Sequence, residues 1–286
     1  KNVTIRSTNP SDPNVVAATV IDCTGEVGGG FELHGSTGIG FVTLDGITLQ
    51  NGNIIELGYF QPDPDPGYDG FGGRQVFGLG VNVVGNHVIS NCIIRGFTLT
   101  ASPANDGLDG GVHRDVNGDP GVRPADMNED GGRGGEGTSL FGAGICIING
   151  SPIIRNTLVE DCHLVGGNAG NGGQGENGNI PFDANNPGGN GGSGGMPGRA
   201  YGAGIYCSSG TNPTFEKCIV RNCTAIGGRG GPGGNGGTGG ANPQSGGIGG
   251  GEDQTHPEQH SANGAGVCVE AGAFLAVFKD CDFSNS

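Results

Sequence analysis

The sequence predicts an all-β coil, a solenoid of stacked parallel rungs with long glycine-rich insertions at one corner. Two observations carry that prediction. A core of about 25 residues recurs along the chain, and its apolar positions recur with it. The composition also splits in two: of 286 residues 66 are glycine, and these crowd into stretches that could not bury a core alone.

Four segments align: VFGLGVNVVGNHVISNCIIRGF, LFGAGICIINGSPIIRNTLVEDC, AYGAGIYCSSGTNPTFEKCIVRNC and ANGAGVCVEAGAFLAVFKDC. A fifth, FELHGSTGIGFVTLDGITLQNG, fits ahead of them. One column reads Leu44, Ile89, Ile154, Phe215, Phe278; another Ile47, Cys92, Thr157, Cys218, Cys281; a third Leu49, Ile94, Val159, Val220, Phe283. Each core holds several alternating strands, too short for an independent sheet. Stacking the repeats as rungs ~4.8 Å apart pairs every strand and places like on like. Charge supports the same register. Arg95, Glu160, Arg221 and Arg155, Glu216, Lys279 form two columns that alternate in sign, which reads as exposed ladder pairs.

The phrases NVTIRSTNPSDPNVVAATVIDCTG and GAGIYCSSGTNPTFEKCIVRNCTA resemble the right-handed parallel β-helix repeat proteins of the pectate-lyase-like superfamily. That family is common as large surface proteins of planctomycetes and similar bacteria. The resemblance covers nearly all of the chain outside the glycine-rich insertions. It implies the fold, a right-handed parallel β-helix, and not an activity, because the architecture hosts lyases, hydrolases, adhesins and passive stalks.

Net charge is −15, with 28 acidic against 13 basic residues, which argues against direct nucleic-acid binding and for cations as small partners. No apolar run is long enough to span a bilayer. The chain starts and stops within the repeat pattern, so it is expected to be one segment of a larger protein. A polysaccharide hydrolase of this fold would need clustered aspartates, and a lyase an unengaged Arg or Lys beside calcium-binding acids. Asp45, Asp161 and Asp280 sit singly at rung corners, the six histidines show no metal-ligand spacing, and the ladder accounts for Arg95, Arg155 and Arg221. No catalytic residue is assigned.

One insertion contains RDVNGDPGVRPADMNEDGG, in which Asp115, Asn117, Asp119 and Asp126 fall at positions 1, 3, 5 and 12 of an EF-hand-type loop. The phrase resembles the calcium loop of dockerin repeats and makes Ca2+ the expected cofactor. It departs from that motif in carrying Pro120 where glycine is wanted. PDPDPGYDG, from Pro62 to Gly70, is a weaker acidic candidate. Cys162 stacks on Cys223 and Cys218 on Cys281, within disulfide reach across one rung; buried thiols acting as apolar filler are the alternative, and the one favoured.

The insertions are placed at 52–75, 101–140, 166–200 and 227–262, all between the end of one rung and the Gly-x-Gly that opens the next. Stacked rungs force them to stack too. In GGRGGPGGNGGTGG only Arg229, Pro232, Asn235 and Thr238 carry side chains. That period matches the threefold polyproline-II helix, so a polyglycine-II-like side layer is expected. Residues 1–286 thus read as a single β-helix segment of a non-catalytic extracellular structural protein, part of a surface stalk, adhesin or filament. Its expected partners are further repeats or copies of itself, and extracellular polysaccharide. The alternatives are a calcium-dependent polysaccharide lyase or hydrolase and a carbohydrate-binding adhesive module.

Overall fold

The computed structural model describes residues 2–25, 29–35, 40–56, 73–110, 130–176, 189–237, 262–273 and 276–284. The chain is all-β with five parallel sheets. The first sheet stacks Val3–Arg6, Val42–Asp45, Val88–Ser90, Ile153–Arg155, Thr214–Glu216 and Val277–Lys279. The second stacks Val20–Asp22, Thr48–Gln50, Ile93–Arg95, Leu158–Glu160, Ile219–Arg221 and Asp282–Ser284. The third holds Asn53–Glu56, Thr98–Ala101, His163–Val165 and Thr224–Ile226; the fourth Gln75–Phe77, Ser139–Phe141, Ala200–Tyr201 and Ala262–Asn263. The fifth holds Phe31–His34, Val81–Val84, Ile145–Asn149, Ile205–Cys207 and Val267–Val269. Within each sheet the strands follow chain order, as successive turns of a β-solenoid require.

The register is the one the columns predict. Leu44 pairs with Ile89, Ile89 with Ile154, Ile154 with Phe215 and Phe215 with Phe278. Leu49, Ile94, Val159, Val220 and Phe283 stack in the same way. These side chains point inward, and most are fully buried in one continuous core. The charged columns face out: Arg221 donates to Glu160 at 2.7 and 2.9 Å, Lys279 to Glu216 at 3.0 Å, and Arg95 reaches back to Gln50.

Sharp corners separate the sheets. Asn91, Asn156, Lys217 and Asp280 stand in left-handed conformation between the first and second sheets, and Asn51, Asp161 and Asn222 between the second and third. Asn and Asp tolerate that conformation best among residues with a side chain. Their side chains also link rungs: Asn91 donates to Asp45 at 2.7 Å and Asn156 to Asn91 at 3.2 Å. The Gly-x-Gly phrase serves two needs. Gly142 and Gly202 take φ of 63° and 60° at a corner. Gly144 and Gly204 let rungs approach: a Cβ on Gly144 would lie 2.5 Å from the Gly204 carbonyl oxygen.

Two local features depart from the sequence expectation. Residues 53–56, expected inside the first insertion, form a strand, because Ile54 stacks on Leu99 and packs against the core. A short helix, Pro13–Ala18, crosses the first rung. Asp12 caps it by accepting the Asn14 N–H at 2.9 Å, and Pro13 follows the cap, a start signal present in the sequence.

Candidate binding surface

Two surfaces lie beside the corner between the third and fourth sheets, where the described arms leave and rejoin the coil. The first is made of glycine-rich arms. Segments 102–110, 166–176 and 227–237 lead away from the coil; 130–137 and 189–199 lead back. Outgoing arms pair in parallel: Ala104, Gly107 and Gly110 donate to the carbonyls of Asn168, Asn171 and Gln174 at 2.7–2.8 Å. Ala169, Gly172 and Gly175 donate to Arg229, Pro232 and Asn235 at 2.8–2.9 Å. The returning arms pair likewise, Gly131, Gly134 and Gly137 donating to Asn190, Ser193 and Met196 at 2.8 Å. Outgoing and returning arms interlock antiparallel: Gly167, Gly170 and Gly173 donate to Thr138, Gly135 and Gly132, and Gly228, Gly231, Gly234 and Gly237 to Gly198, Gly195, Gly192 and Gly189.

Every row steps by three residues, and the spacing of glycine follows from it. Cβ atoms on Gly170, Gly194 and Gly231 would overlap the carbonyl oxygens of Asn105, Gly231 and Gly170. Only the third position faces solvent: Arg229, Pro232 and Asn235 are exposed while Gly228, Gly231 and Gly234 are buried. Side chains at that position add bonds between arms. Asp106 accepts the backbone N–H of Asn171 at 2.7 Å, Asp109 that of Gln174 and Asp130 that of Asn190 at 2.6 Å. Asn168 accepts from Arg229 at 2.9 Å and Gln174 from Asn235 at 3.1 Å. An N–H donated to a carboxylate is a charge-assisted bond.

The second surface is a cleft of about 550 Å³ between the returning arms and the outer faces of the fourth and fifth sheets. Phe141 and Tyr201 line it and belong to a larger aromatic cluster. Phe77, Phe141 and Tyr201 stack in register with ring centroids 4.8 and 5.5 Å apart, and Tyr206 leans on Phe141 at 4.9 Å. Asn263 takes the next place in that column, so the ladder ends at Tyr201, beside the cleft. Arg74, Arg199, Glu136 and Glu270 line its walls. Burial, reinforced by a hydrogen bond to Glu270, pushes the Tyr206 hydroxyl far above its usual range, so it serves as a donor. The signal for this cluster was the aromatic before each Gly-x-Gly (VFG, LFG, AYG), and it points outward into a concave corner that covers it: Phe141 is only 6% exposed.

Of the sequence-predicted metal ligands, Asp115, Asn117, Asp119 and Asp126 lie outside the described residues, as does the 62–70 stretch. Among the described residues no three His, Cys, Asp or Glu side chains gather into a metal-ligating group, and no helix is long and apolar enough to cross a membrane. His87 is buried at the coil corner, accepting the Val42 N–H at 3.0 Å and lying 3.2 Å from the Val84 carbonyl. All nine cysteines are free thiols. Cys162 and Cys223 hydrogen-bond to one another, and that bond, with burial, holds the Cys162 proton well above the ordinary thiol range. No family model, no curated protein and no solved structure matches the chain.

Proposed function

We propose that this chain is a non-catalytic structural segment of an extracellular or cell-surface protein, part of a stalk, adhesin or filament. In this reading the coil is a right-handed parallel β-helix, the hand that parallel crossover connections almost always take. The arms beside it form a polyglycine-II-like layer. The observation that carries the reading is the three-residue step of the backbone bonds between arms. A threefold strand has three residues per turn, and bundling satisfies its otherwise solvated backbone. Such a layer widens the coil with rigid backbone and needs no apolar core. Further repeats or copies of the chain are the partners it fits. Calcium held by Asp115, Asn117, Asp119 and Asp126 belongs to the same reading. A chelator is then expected to lower the melting temperature of the wild type and to leave Asp115→Ala unmoved.

The test of the structural role is location. Antibodies to the chain should label intact producing cells, and electron microscopy should show filaments or a regular surface array. A soluble, monomeric secreted product would sink the reading.

The cleft favours a second reading, a carbohydrate-binding adhesive module. Tyr201 offers an aromatic ring to a sugar, and Arg74, Arg199, Glu136 and Glu270 line the cleft around it. Binding to a glycan array that disappears in Tyr201→Ala would support this; an array with no signal would dismiss it. For the lyase or hydrolase alternative, Arg221 is engaged by Glu160 and Arg95 by Gln50, whereas Arg155 is exposed with no side-chain bond among the described residues, and no acidic cluster stands beside it. Chelator-sensitive depolymerisation of a uronate polymer would revive it.

A further inference from the structure

Two buried thiols meet inside the coil. Cys162 and Cys223 follow the left-handed residues Asp161 and Asn222, at the corner between the second and third sheets. They stack one turn apart. The strands leading into them, Leu158–Glu160 and Ile219–Arg221, have Ile93–Arg95 on one side and Asp282–Ser284 on the other, so the pair is interior to the stack. Cys162 is 0% exposed and Cys223 1%. The Thr224 N–H donates to the Cys162 carbonyl at 2.9 Å and fixes the two backbones in register. The sulfurs hydrogen-bond to one another. Across the core, a Cβ on Gly144 would lie 3.1 Å from the Cys162 Sγ, and one on Gly204 3.1 Å from the Cys223 Sγ, so glycine leaves each sulfur its seat.

We propose that Cys162 and Cys223 are a disulfide-forming pair, whose oxidation staples two turns of the coil at the roots of the second and third outgoing arms. Stacked residues lie ~4.8 Å apart, and a disulfide brings its Cβ atoms to roughly 3.8 Å, so closure needs a shift of about 1 Å. The corner takes that shift more readily than the middle of a strand, because no third-sheet bond precedes the pair. Oxidation also strands no buried acceptor. The Cys162 sulfur lies 3.4 Å from the Glu160 carbonyl and the Cys223 sulfur 3.3 Å from that of Arg221. When the thiol protons leave, the Glu160 carbonyl keeps the Gly96 N–H at 3.1 Å and the Arg221 carbonyl keeps the Asp161 N–H at 3.3 Å. The oxidant is a low-molecular-weight disulfide. The Cys223 thiolate attacks one of its sulfurs and expels the first small thiol. Cys162 then gives up its proton and attacks the Cys223 sulfur, expelling the second. Two protein thiols are oxidised and one small disulfide is reduced to two thiols. Cys223 is the first to ionise, because the hydrogen bond from Cys162 holds its pKa below the ordinary thiol value. The bridge closes a loop of roughly 60 residues, which restricts the unfolded chain. His163–Val165 and Thr224–Ile226 start at the next residues and run directly into 166–176 and 227–237.

The experiment oxidises the reduced full chain with oxidised glutathione, unfolds it, alkylates the remaining thiols and maps its peptides by mass spectrometry. Of the nine cysteines, seven should be alkylated, and Cys162 and Cys223 should appear in one crosslinked peptide pair. The melting temperature should rise by roughly 5–10 °C and return on reduction. Cys92→Ala should keep both results. Cys162→Ala and Cys223→Ala should lose both, and if those variants fail to fold, the peptide map of the oxidised wild type decides. Nine alkylated cysteines, or a crosslink that joins other cysteines, would overturn the proposal. A Cys162–Cys223 crosslink that leaves the melting temperature unchanged or lowers it would overturn the staple.

Discussion

The coil and the arms are ordered by different forces. In the coil, rungs bury Leu44, Ile89, Ile154, Val159 and Val220 completely, and hydrogen bonds run between strands that a hydrophobic core already holds together. The arms have no such core. Apart from Pro197 their buried positions are glycines, fixed by backbone bonds and, as at Gly170, Gly194 and Gly231, by a carbonyl lying where the Cβ would be. Ordering a glycine costs more entropy than any other residue, and a hydrogen bond returns only about 1 kcal/mol net. A layer of this kind is close to balance by itself. The coil tips it by delivering the roots of the arms already in register: the first bond between the second and third outgoing arms, Gly166 to Ile226, directly continues the third sheet. The dependence runs one way, from coil to layer.

The largest expected effect tests that direction. Phe215 is 1% exposed and stacks on Phe278 at 4.8 Å with the rings 4° from parallel. Phe215→Ala should cost about 3–5 kcal/mol in a denaturant titration. Amides in both the coil and the arms should lose protection together, since the arms lean on the coil. Retained protection in 227–237 beside a loosened coil would reverse the argument.

Gly231→Ala should act on the arms alone. Its Cβ would overlap the Gly170 carbonyl oxygen, and no side chain is there to yield. Amide protection in 166–176, 189–199 and 227–237 should fall, while Ile89, Ile154 and Phe215 keep theirs and the main melting transition moves little. Pro232→Ala is the control: its side chain is exposed, so the layer should survive. Equal damage from both variants would mean the arms are not packed as described.

The contrast also explains what the sequence made legible. Parallel stacking in register puts like on like, so the columns through Leu44, Ile47 and Leu49 and the alternating charges could be aligned without coordinates. The outward aromatics were missed because outward positions in a solenoid normally face water. Only the concave corner, formed by left-handed Gly78, Gly142 and Gly202, covers Phe141 and Tyr206. In the arms the period of Arg229, Pro232 and Asn235 is plain in the sequence, but a row of glycines is equally consistent with several pairings. Which arm bonds to which depends on where the coil releases each one, and that is a property of the rungs.

A smaller effect separates the regions by pH. Burial pushes the thiols of Cys92 and Cys218 up to about 11 and that of Cys207 to about 12, all within the coil. These groups stay protonated in the folded chain when the unfolded chain has begun to ionise. Their contribution is therefore fully present below pH 9 and is lost as pH rises through about 11. Melting temperature should fall across that window, and the slope should flatten in Cys92→Ala with Cys218→Ala. The arms contain no cysteine, so arm exchange corrected for intrinsic rate should follow the coil and show no transition of its own.

The smallest effect lies at one corner. In the column of Gly46, Asn91, Asn156, Lys217 and Asp280 every residue has positive φ, and Lys217 holds 53° with a side chain that gains nothing from it. Its neighbours use the same place to link rungs, Asn91 to Asp45 and Asn156 to Asn91. Lys217→Asn would relieve left-handed strain and place an amide one rung from Asn156. The expected gain is about 0.5–1 kcal/mol, read as a rise in the denaturation midpoint with unchanged slope. The gain should appear in coil stability and carry over to the arms, whose roots sit on the next sheet. An increase confined to the arms, or a loss, would show that Lys217 serves some purpose other than turning the corner.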